Sequence, residues 1–515
     1  MSNQTPANVI HLNPRDNTCV TREPMSSGKA ITVAGKTVTL TEDIRTGHKL
    51  AIEAIATGDP IFKYGQVIGA ATQPIACGEW VHVHNVATGT LVQDYAKATE
   101  IPAAPTPITD RTFMGYRRPS GKVGTRNYIG LISTVNCSAS VCKYIADRFN
   151  RDELKKYPNI DGVVAFKHGE GCGMEWAGSN HEMLNRVMAG MANHPNIGAY
   201  LIIGLGCEQA SIGYLVRSHN LVQIDGTDGP SPPLTLTLQD CGGTAKTVEK
   251  GLELLAQLMP AANDVQREEV PASEIVLATE CGGSDAYSGI TANPAVGYAS
   301  DLLVASGATS ILGETTEIYG AEHLLTRRSA TPQVADKLLA RIDWWHHYIG
   351  LFNGAMDNNP SQGNKEGGLT TIAEKSLGAV AKGGTTTLVD VYEYAEPVTK
   401  KGFVVMDTPG FDAMSLTGMV AGGANVIVFT TGRGSCYGCK PTPSIKIASN
   451  SSMYHRMVDD MDIDAGKVMS GSTVEDVGRE IYEEILEVAS GRKTKSEEHG
   501  IGDEEFVPWT VGPIL

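Results

Sequence analysis

No uninterrupted apolar run in this 515-residue chain approaches the roughly 20 residues needed to cross a bilayer. The first 25 residues also lack the apolar stretch of a secretory leader. Both absences lead to the expectation of a cytoplasmic protein with no membrane partner. Basic residues are in short supply, with 42 Lys and Arg against 58 Asp and Glu, a net charge of -16. Phosphate backbones are bound by clustered cations, so nucleic acid is not an expected partner. A small anionic substrate is compatible with this balance, because charges beyond a Debye length of ~8 Å are screened and a local Lys/Arg pocket suffices. Paired cysteines are scarce too: ten Cys include a single CxxC, Cys436 to Cys439. In a reducing compartment they read as free thiols or metal ligands rather than disulfides.

Aromatic residues make up 6%, whereas Gly reaches 57, so many turns and close backbone approaches are expected. The length calls for two or three domains. Residues 1–28 are polar and aperiodic and read as a flexible extension. Residues 29–98 give short Val/Ile/Thr-rich pieces cut by Gly, the pattern of a small all-β domain. The Pro-rich stretch 99–114 reads as a linker. Beyond it, apolar runs alternate with amphipathic ones: YIGLISTV before a helix at 139–150, GVVAFKH before one at 180–192, and AYLIIGLG. A second series follows, from EIVLATE through ATSILGE, TTTLVDV, GFVVMDT and VIVFTTG to a helix at 474–489. Strands alternating with helices predict a two-lobed α/β body with mainly parallel sheets, divided as 115–265 and 266–515.

Four groups of residues could carry chemistry. His82 and His84 alternate within the strand-like VHVHN and would project from one face; with His48 from GHK they could meet one metal, or merely furnish polar surface. Lys49, beside His48, could neutralise a carboxylate. Cys137, Cys172, Cys207 and Cys281 each follow an expected strand, and ligands of open α/β sheets bind at such carboxyl ends. Each alone reads as a small buried hydrophobe, but their shared setting allows a common crevice. The polar strings ECGGSD…TAN and NPSQGNK supply Ser284, Asp285, Asn293, Asn364 and Lys365, which could clasp hydroxyls and carboxylates, although turn formation explains most such residues. Arg433 could make a bidentate carboxylate contact. His168, before the GEGC turn, could titrate near neutral pH as a general base.

Together GHK at 47–49, KYGQVIG at 63–69, VHVHN at 81–85, GKVGTRN at 121–127, IIGLGCE at 202–208, ECGGSDAYSGITANPAVG at 280–297, NPSQGNKEGGL at 359–369 and TTGRG at 430–434 resemble the altronate/galactarate dehydratase family. The resemblance implies an SAF β-clip domain followed by a dehydratase body. It also implies loss of water from a sugar acid to give a 2-keto-3-deoxy acid, with Fe2+, or Mn2+ or another divalent metal, as activator. VHVHN leans the substrate towards altronate rather than galactarate, and Cys436 and Cys439 depart from the family's sequence after TTGRG. On this reading His48, His82 and His84 border the metal, Lys49, Lys365 and His168 serve catalysis, and Asn85, Ser284, Asp285, Asn293, Asn364 and Arg433 bind substrate. Rival readings are an iron–sulfur cluster on three of the four strand-end cysteines, elimination of sulfite from sulfolactate, and a sugar-acid-binding protein without activity. A homo-oligomer is expected.

Overall fold

The computed structural model describes residues 8–89, 94–223, 231–512 and 514–515. Its N-terminal module is all β: a four-stranded antiparallel sheet (Val9–Ile10, Thr18–Thr21, Lys49–Ala51, Trp80–Val81), a hairpin (Ala30–Val33 with Lys36–Thr39) and a three-stranded sheet (Pro60–Lys63, Gln66–Ala71, Val86–Ala87). The hairpin turns Ala34-Gly35 and Tyr64-Gly65 hold positive φ at both residues, matching the twist of the strands they join. Residues 9–28, expected to be a flexible extension, belong to this module. Thr18–Thr21 is fully buried between Val9–Ile10 and Lys49–Ala51, and Cys19 and Val20 enter the core. A four-residue strand in a polar neighbourhood offers too little periodicity to be read before its partners are known.

After an extended stretch whose backbone bonds to Thr326, Arg327 and Ala305, the strand Thr112–Arg117 pairs antiparallel with Glu268–Pro271. It begins inside the expected linker and ties together the entrance and exit of the next domain. That domain is a four-stranded parallel sheet in the order Gly162–Phe166, Tyr128–Ser133, Ile197–Gly204, Leu234–Thr237. Alternation along the strands divides the core. Ile129, Leu131, Leu201 and Ile203 face the helices Asn136–Asp152 and Thr244–Asn263, whereas Ile132, Tyr200 and Ile202 face Ser179–Ala192.

The last domain holds seven parallel strands in the order Leu388–Tyr392, Gly402–Met406, Thr309–Leu312, Val276–Cys281, Val426–Thr431, Ser444–Ala448, Ile463–Asp464. Helices Ala292–Ala305 and Val474–Ala489 cover one face; Thr473 and Asp476 close the second with a capping box. On the other face, Asp412–Ala421 packs against Ser179–Ala192 of the preceding domain. Gly190 makes this possible, since a Cβ there would lie 2.3 Å from the Ala421 carbonyl oxygen. The expected two-lobed body with mainly parallel sheets is what forms. Among the described residues, no helix is long and apolar enough to cross a membrane.

Candidate active site

Val276–Cys281 and Val426–Thr431 are neighbours at the middle of the seven-stranded sheet, yet the chain leaves them for opposite sides, towards Thr309–Leu312 and Ser444–Ala448 respectively. Such a divergence opens a crevice at the carboxyl ends. A cavity of about 490 Å³ lies there, lined among others by Cys281, Gly283, Asn359, Lys365, Lys375 and Asp412.

Buried charge surrounds its floor. Glu314 follows the strand Thr309–Leu312, and Glu317 closes a short helical turn after it. Lys382 Nζ stands 2.6 Å from Glu314 Oε2 and 2.8 Å from Cys281 Sγ. Lys375 Nζ stands 2.5 Å from Glu317 Oε1 and donates to Asn359 Oδ1 at 3.0 Å, while Asn359 Nδ2 donates to Glu317 Oε1 at 2.9 Å. The two ammonium groups offset the two carboxylates, without which ions so deeply buried would be untenable. Burial, reinforced by Glu314, pushes the Cys281 thiol well above its ordinary range, so it stays protonated. Glu280 receives a bond from Ser415 Oγ at 2.7 Å, and its Oε1 has no partner; burial and the negative charges of Glu314 and Asp412 hold it protonated.

Asp412 opens the helix Asp412–Ala421. Its Oδ2 sits where a Cβ on Gly282 would come within 2.4 Å, so the glycine is required for this approach. Burial, then Glu314 and Glu317, raises its carboxyl to about 7. A carboxylate that can exchange a proton near neutral pH, on the wall of a cavity with cationic groups, is suited to acid–base chemistry.

Of the residues singled out from the sequence, Asn364 and Lys365 line this cavity, and Lys365 makes no ion pair among the described residues. Arg433 is half-exposed and reaches Glu366 at 3.8 Å. Ser284 is buried, and its carbonyl accepts from Asn364 Nδ2 at 2.9 Å. Asp285 and Asn293 brace turns. Asp285 accepts from Ser288, Ser449 and Asn450, and Asn293 donates to the Gly378 carbonyl and accepts from Thr430 Oγ1.

The N-terminal module supplies none of the cavity residues named above; it docks behind them. Lys49 Nζ donates to both oxygens of Glu374, at 2.9 and 2.8 Å, and to the Gly368 carbonyl at 2.8 Å. Lys63 Nζ donates to Glu374 Oε1 at 2.8 Å. With its three protons engaged, Lys49 has none left for a substrate carboxylate. Burial opposes the charge on Glu374, but Lys49 and Lys63 outweigh it and hold the carboxyl well below its usual range. Glu374 and Lys375 are consecutive on the helix Ile372–Ala379, so the module clamps the element that presents Lys375.

The strand expected through VHVHN ends at Val81, and residues 82–85 form a turn. Asn85 ties that turn, accepting from the His82 backbone N–H at 2.9 Å and donating to the Trp80 carbonyl at 2.8 Å. His48 and His82 lie side by side with ring centroids 4.9 Å apart, Trp80 stacks on His82, and His84 is exposed. His48 Nδ1 accepts from Trp80 Nε1 at 3.1 Å and Nε2 meets the Glu366 carbonyl at 3.2 Å, which occupies both nitrogens. His82 Nδ1 is buried without a partner. Burial, with Lys49 nearby, lowers the two imidazoles to about 4 and about 3. His168 is committed as well: Nε2 meets the Ser133 carbonyl at 2.8 Å and Nδ1 accepts from the Glu170 N–H at 3.1 Å. It pins the turn before Cys172 and has no free nitrogen for a base. The four strand-end cysteines separate: Cys281 is buried in the last domain, whereas Cys137, Cys172 and Cys207 are exposed on the middle one. Cys436 is exposed and Cys439 buried.

Sequence reasoning missed Glu314, Glu317, Lys375, Lys382 and Asp412, and marked Asn359 only as the start of the string NPSQGNK. For the two glutamates a signal existed, because GETTE follows an apolar run as the flagged cysteines do.

Family models match along nearly the whole chain: the altronate/galactarate dehydratase SAF domain at residues 7–89, the D-galactarate dehydratase/altronate hydrolase second domain at 115–263, and the D-galactarate/altronate dehydratase C-terminal domain at 272–514. The chain is 40% identical over 472 residues to galactarate dehydratase (L-threo-forming) of Escherichia coli K12, covering 90% of each chain. It is 35% identical over 489 residues to altronate dehydratase of the same organism, 95% of this chain and 96% of the relative. It is 32% identical over 404 residues to the (2R)-sulfolactate sulfo-lyase subunit beta of Chromohalobacter salexigens, 78% of this chain and 97% of the relative.

Proposed function

Since the chain belongs to the altronate/galactarate dehydratase family, we propose that it is a hydro-lyase that removes water from a six-carbon sugar acid at the 490 Å³ cavity. The observation that carries this reading is the union of a near-neutral carboxyl, Asp412, with the cationic groups of Lys365 and Lys375 at one set of strand ends. Elimination takes a proton from the carbon beside the substrate carboxylate and expels hydroxide from the next carbon. Lys365 and Lys375 attract the carboxylate and stabilise the charge that builds on it as the proton leaves. Asn359 holds Lys375 in place. Asp412 receives the proton and, having received it, can protonate the departing hydroxyl.

Neither set of residues foreseen or found for a single iron fits it as arranged. The ligating atoms of Cys281, Glu314 and Glu317 lie within 4.8 Å of one another, but Lys382 and Lys375 already supply the positive charge at 2.5–2.8 Å. Of the three imidazoles, His48 has both nitrogens engaged and His84 faces solvent.

Galactarate and altronate head the substrate panel, because the VHVHN turn that leaned the choice towards altronate contributes no cavity residue. Keto-acid formation from either, above a no-enzyme control, is the expected result. Sulfite release from sulfolactate with no keto acid from any sugar acid would replace the dehydratase reading by the sulfo-lyase one. No product from the whole panel would leave a binding protein.

A further inference from the structure

Free cysteine is among the most buried residue types, yet Cys137, Cys172 and Cys207 are all exposed, and all follow strands at one end of the middle domain's sheet. Their strands are adjacent, in the order Gly162–Phe166, Tyr128–Ser133, Ile197–Gly204. The segments around them, the start of the helix Asn136–Asp152 and the loops at Cys172 and Cys207, are bonded to one another. The Asn136 N–H donates to the Glu170 carbonyl at 2.9 Å, and the Ala210 N–H to the Gly171 carbonyl at 3.1 Å. Thr134 Oγ1 donates to Glu208 Oε1 at 2.8 Å, and the Gly206 N–H donates to Glu208 Oε2 at 2.7 Å. His168 pins the second loop to the first through Ser133.

Glycine precedes two of the three thiols, and both glycines hold conformations closed to other residues. Gly171 has φ of 101°, and a Cβ there would come 2.2 Å from the Thr134 carbonyl; Gly206 has φ of 122°. Cys137 lies in the first turn of a 17-residue helix that has no acidic side chain in that turn and no side-chain cap. This is a rigid, preorganised rim for three sulfur ligands, and nothing in the cavity chemistry of the last domain uses it.

Spacing selects the occupant. One tetrahedral ion with metal–sulfur bonds of ~2.3 Å brings its thiolates to about 3.8 Å of each other. Among the described residues, the group of three possible ligands that closes within 4.8 Å is Cys281, Glu314 and Glu317, so Cys137, Cys172 and Cys207 do not all lie within 4.8 Å of one another. A cluster of several irons bridged by sulfide takes thiolates set wider than a single ion does, and thiolate is its usual protein ligand.

We infer that Cys137, Cys172 and Cys207 are the protein ligands of one iron–sulfur cluster seated on the middle domain. Three protein thiolates leave one iron of a cubane cluster open to water or a small oxygen ligand. Loading a cubane site takes two ferrous and two ferric ions with four sulfides, so no further oxidant is required, and the thiol protons pass to solvent.

The test uses the full chain, purified without oxygen or loaded anaerobically with ferrous iron, ferric iron and sulfide. A brown protein with several irons per chain and matching acid-labile sulfide is expected. Cys137→Ser, Cys172→Ser and Cys207→Ser should each lose most of both, while Cys436→Ser, at an exposed thiol of the last domain, should keep them. Melting curves of the metal-free variants matching the metal-free parent establish that the fold is intact. In the loaded parent, Cys137, Cys172 and Cys207 should resist alkylation while Cys77 and Cys436 react. One metal ion without sulfide, iron content unchanged by the serine variants, or equal labelling of all five exposed thiols would overturn the inference. None of these outcomes bears on whether Asp412 and the lysines catalyse dehydration.

Discussion

The two α/β domains place functional groups at the same topological position, the carboxyl ends of parallel strands, but furnish it in opposite ways. In the last domain the groups are ionic and buried: Glu314, Glu317, Lys375 and Lys382 compensate one another beneath a cavity. In the middle domain they are thiols, exposed on one helix start and two loops tied by backbone hydrogen bonds. Buried charges are costly to separate, so the first arrangement couples chemistry to stability. Exposed thiols carry no such coupling, and their site can be emptied without harm to the fold.

That contrast can be broken at several points. The largest expected effect is on turnover: Asp412→Asn should lower kcat by about 10²–10⁴-fold, measured as keto-acid formation from whichever substrate the panel identifies. Activity within threefold of the parent would remove Asp412 from the chemistry. Next comes Lys382→Met, which strands Glu314 without its cation and should cost about 3–5 kcal/mol in urea unfolding. A loss under 1 kcal/mol would mean that the buried charges are not balanced as described.

Asp412 also imposes a pH dependence. Its folded value of about 7 lies above its ordinary 3.8, so the protonated form favours the fold. That contribution is whole below 3.8, falls as pH rises, and is gone above about 7. Asp412→Asn should flatten this part of the stability profile, with Glu280 leaving a residual slope. The rate should rise through the same ionisation in the parent, because the proton acceptor must be charged. The smallest effect belongs to the middle domain. Cys172→Ser in the metal-free protein should shift unfolding by no more than about 0.5 kcal/mol, and a larger loss would show that the thiol is a packing residue after all.

A further contrast sharpens the same lesson within the last domain. Glu374 and Lys375 are neighbours in sequence and both buried, yet one secures the β module through Lys49 and Lys63 and the other lines the cavity. Both occur in the helix Ile372–Ala379, whose sequence IAEKSLGA by itself assigns neither charge a role. Only the docked module and the neighbouring strand ends decide what each charge meets.

The sequence by itself determined the α/β body, the β module and the family, because alternating apolar runs, Gly-punctuated strands and long specific strings are local properties of the chain. It also drew attention to the string that holds Asn364 and Lys365, which stand in the short helix Gln362–Glu366 on the wall of a cavity. Tertiary structure decided the rest. It committed the nitrogens of His48 and His168 to hydrogen bonds, turned VHVHN from a strand into a turn, and spent the charge of Lys49 on Glu374. It also gathered Glu314, Lys382 and Asp412 from positions up to 98 residues apart around one cysteine. The physical reason is that a side chain's chemistry depends on solvent exposure and on the charges within a few ångströms, and the order of residues along a chain specifies neither.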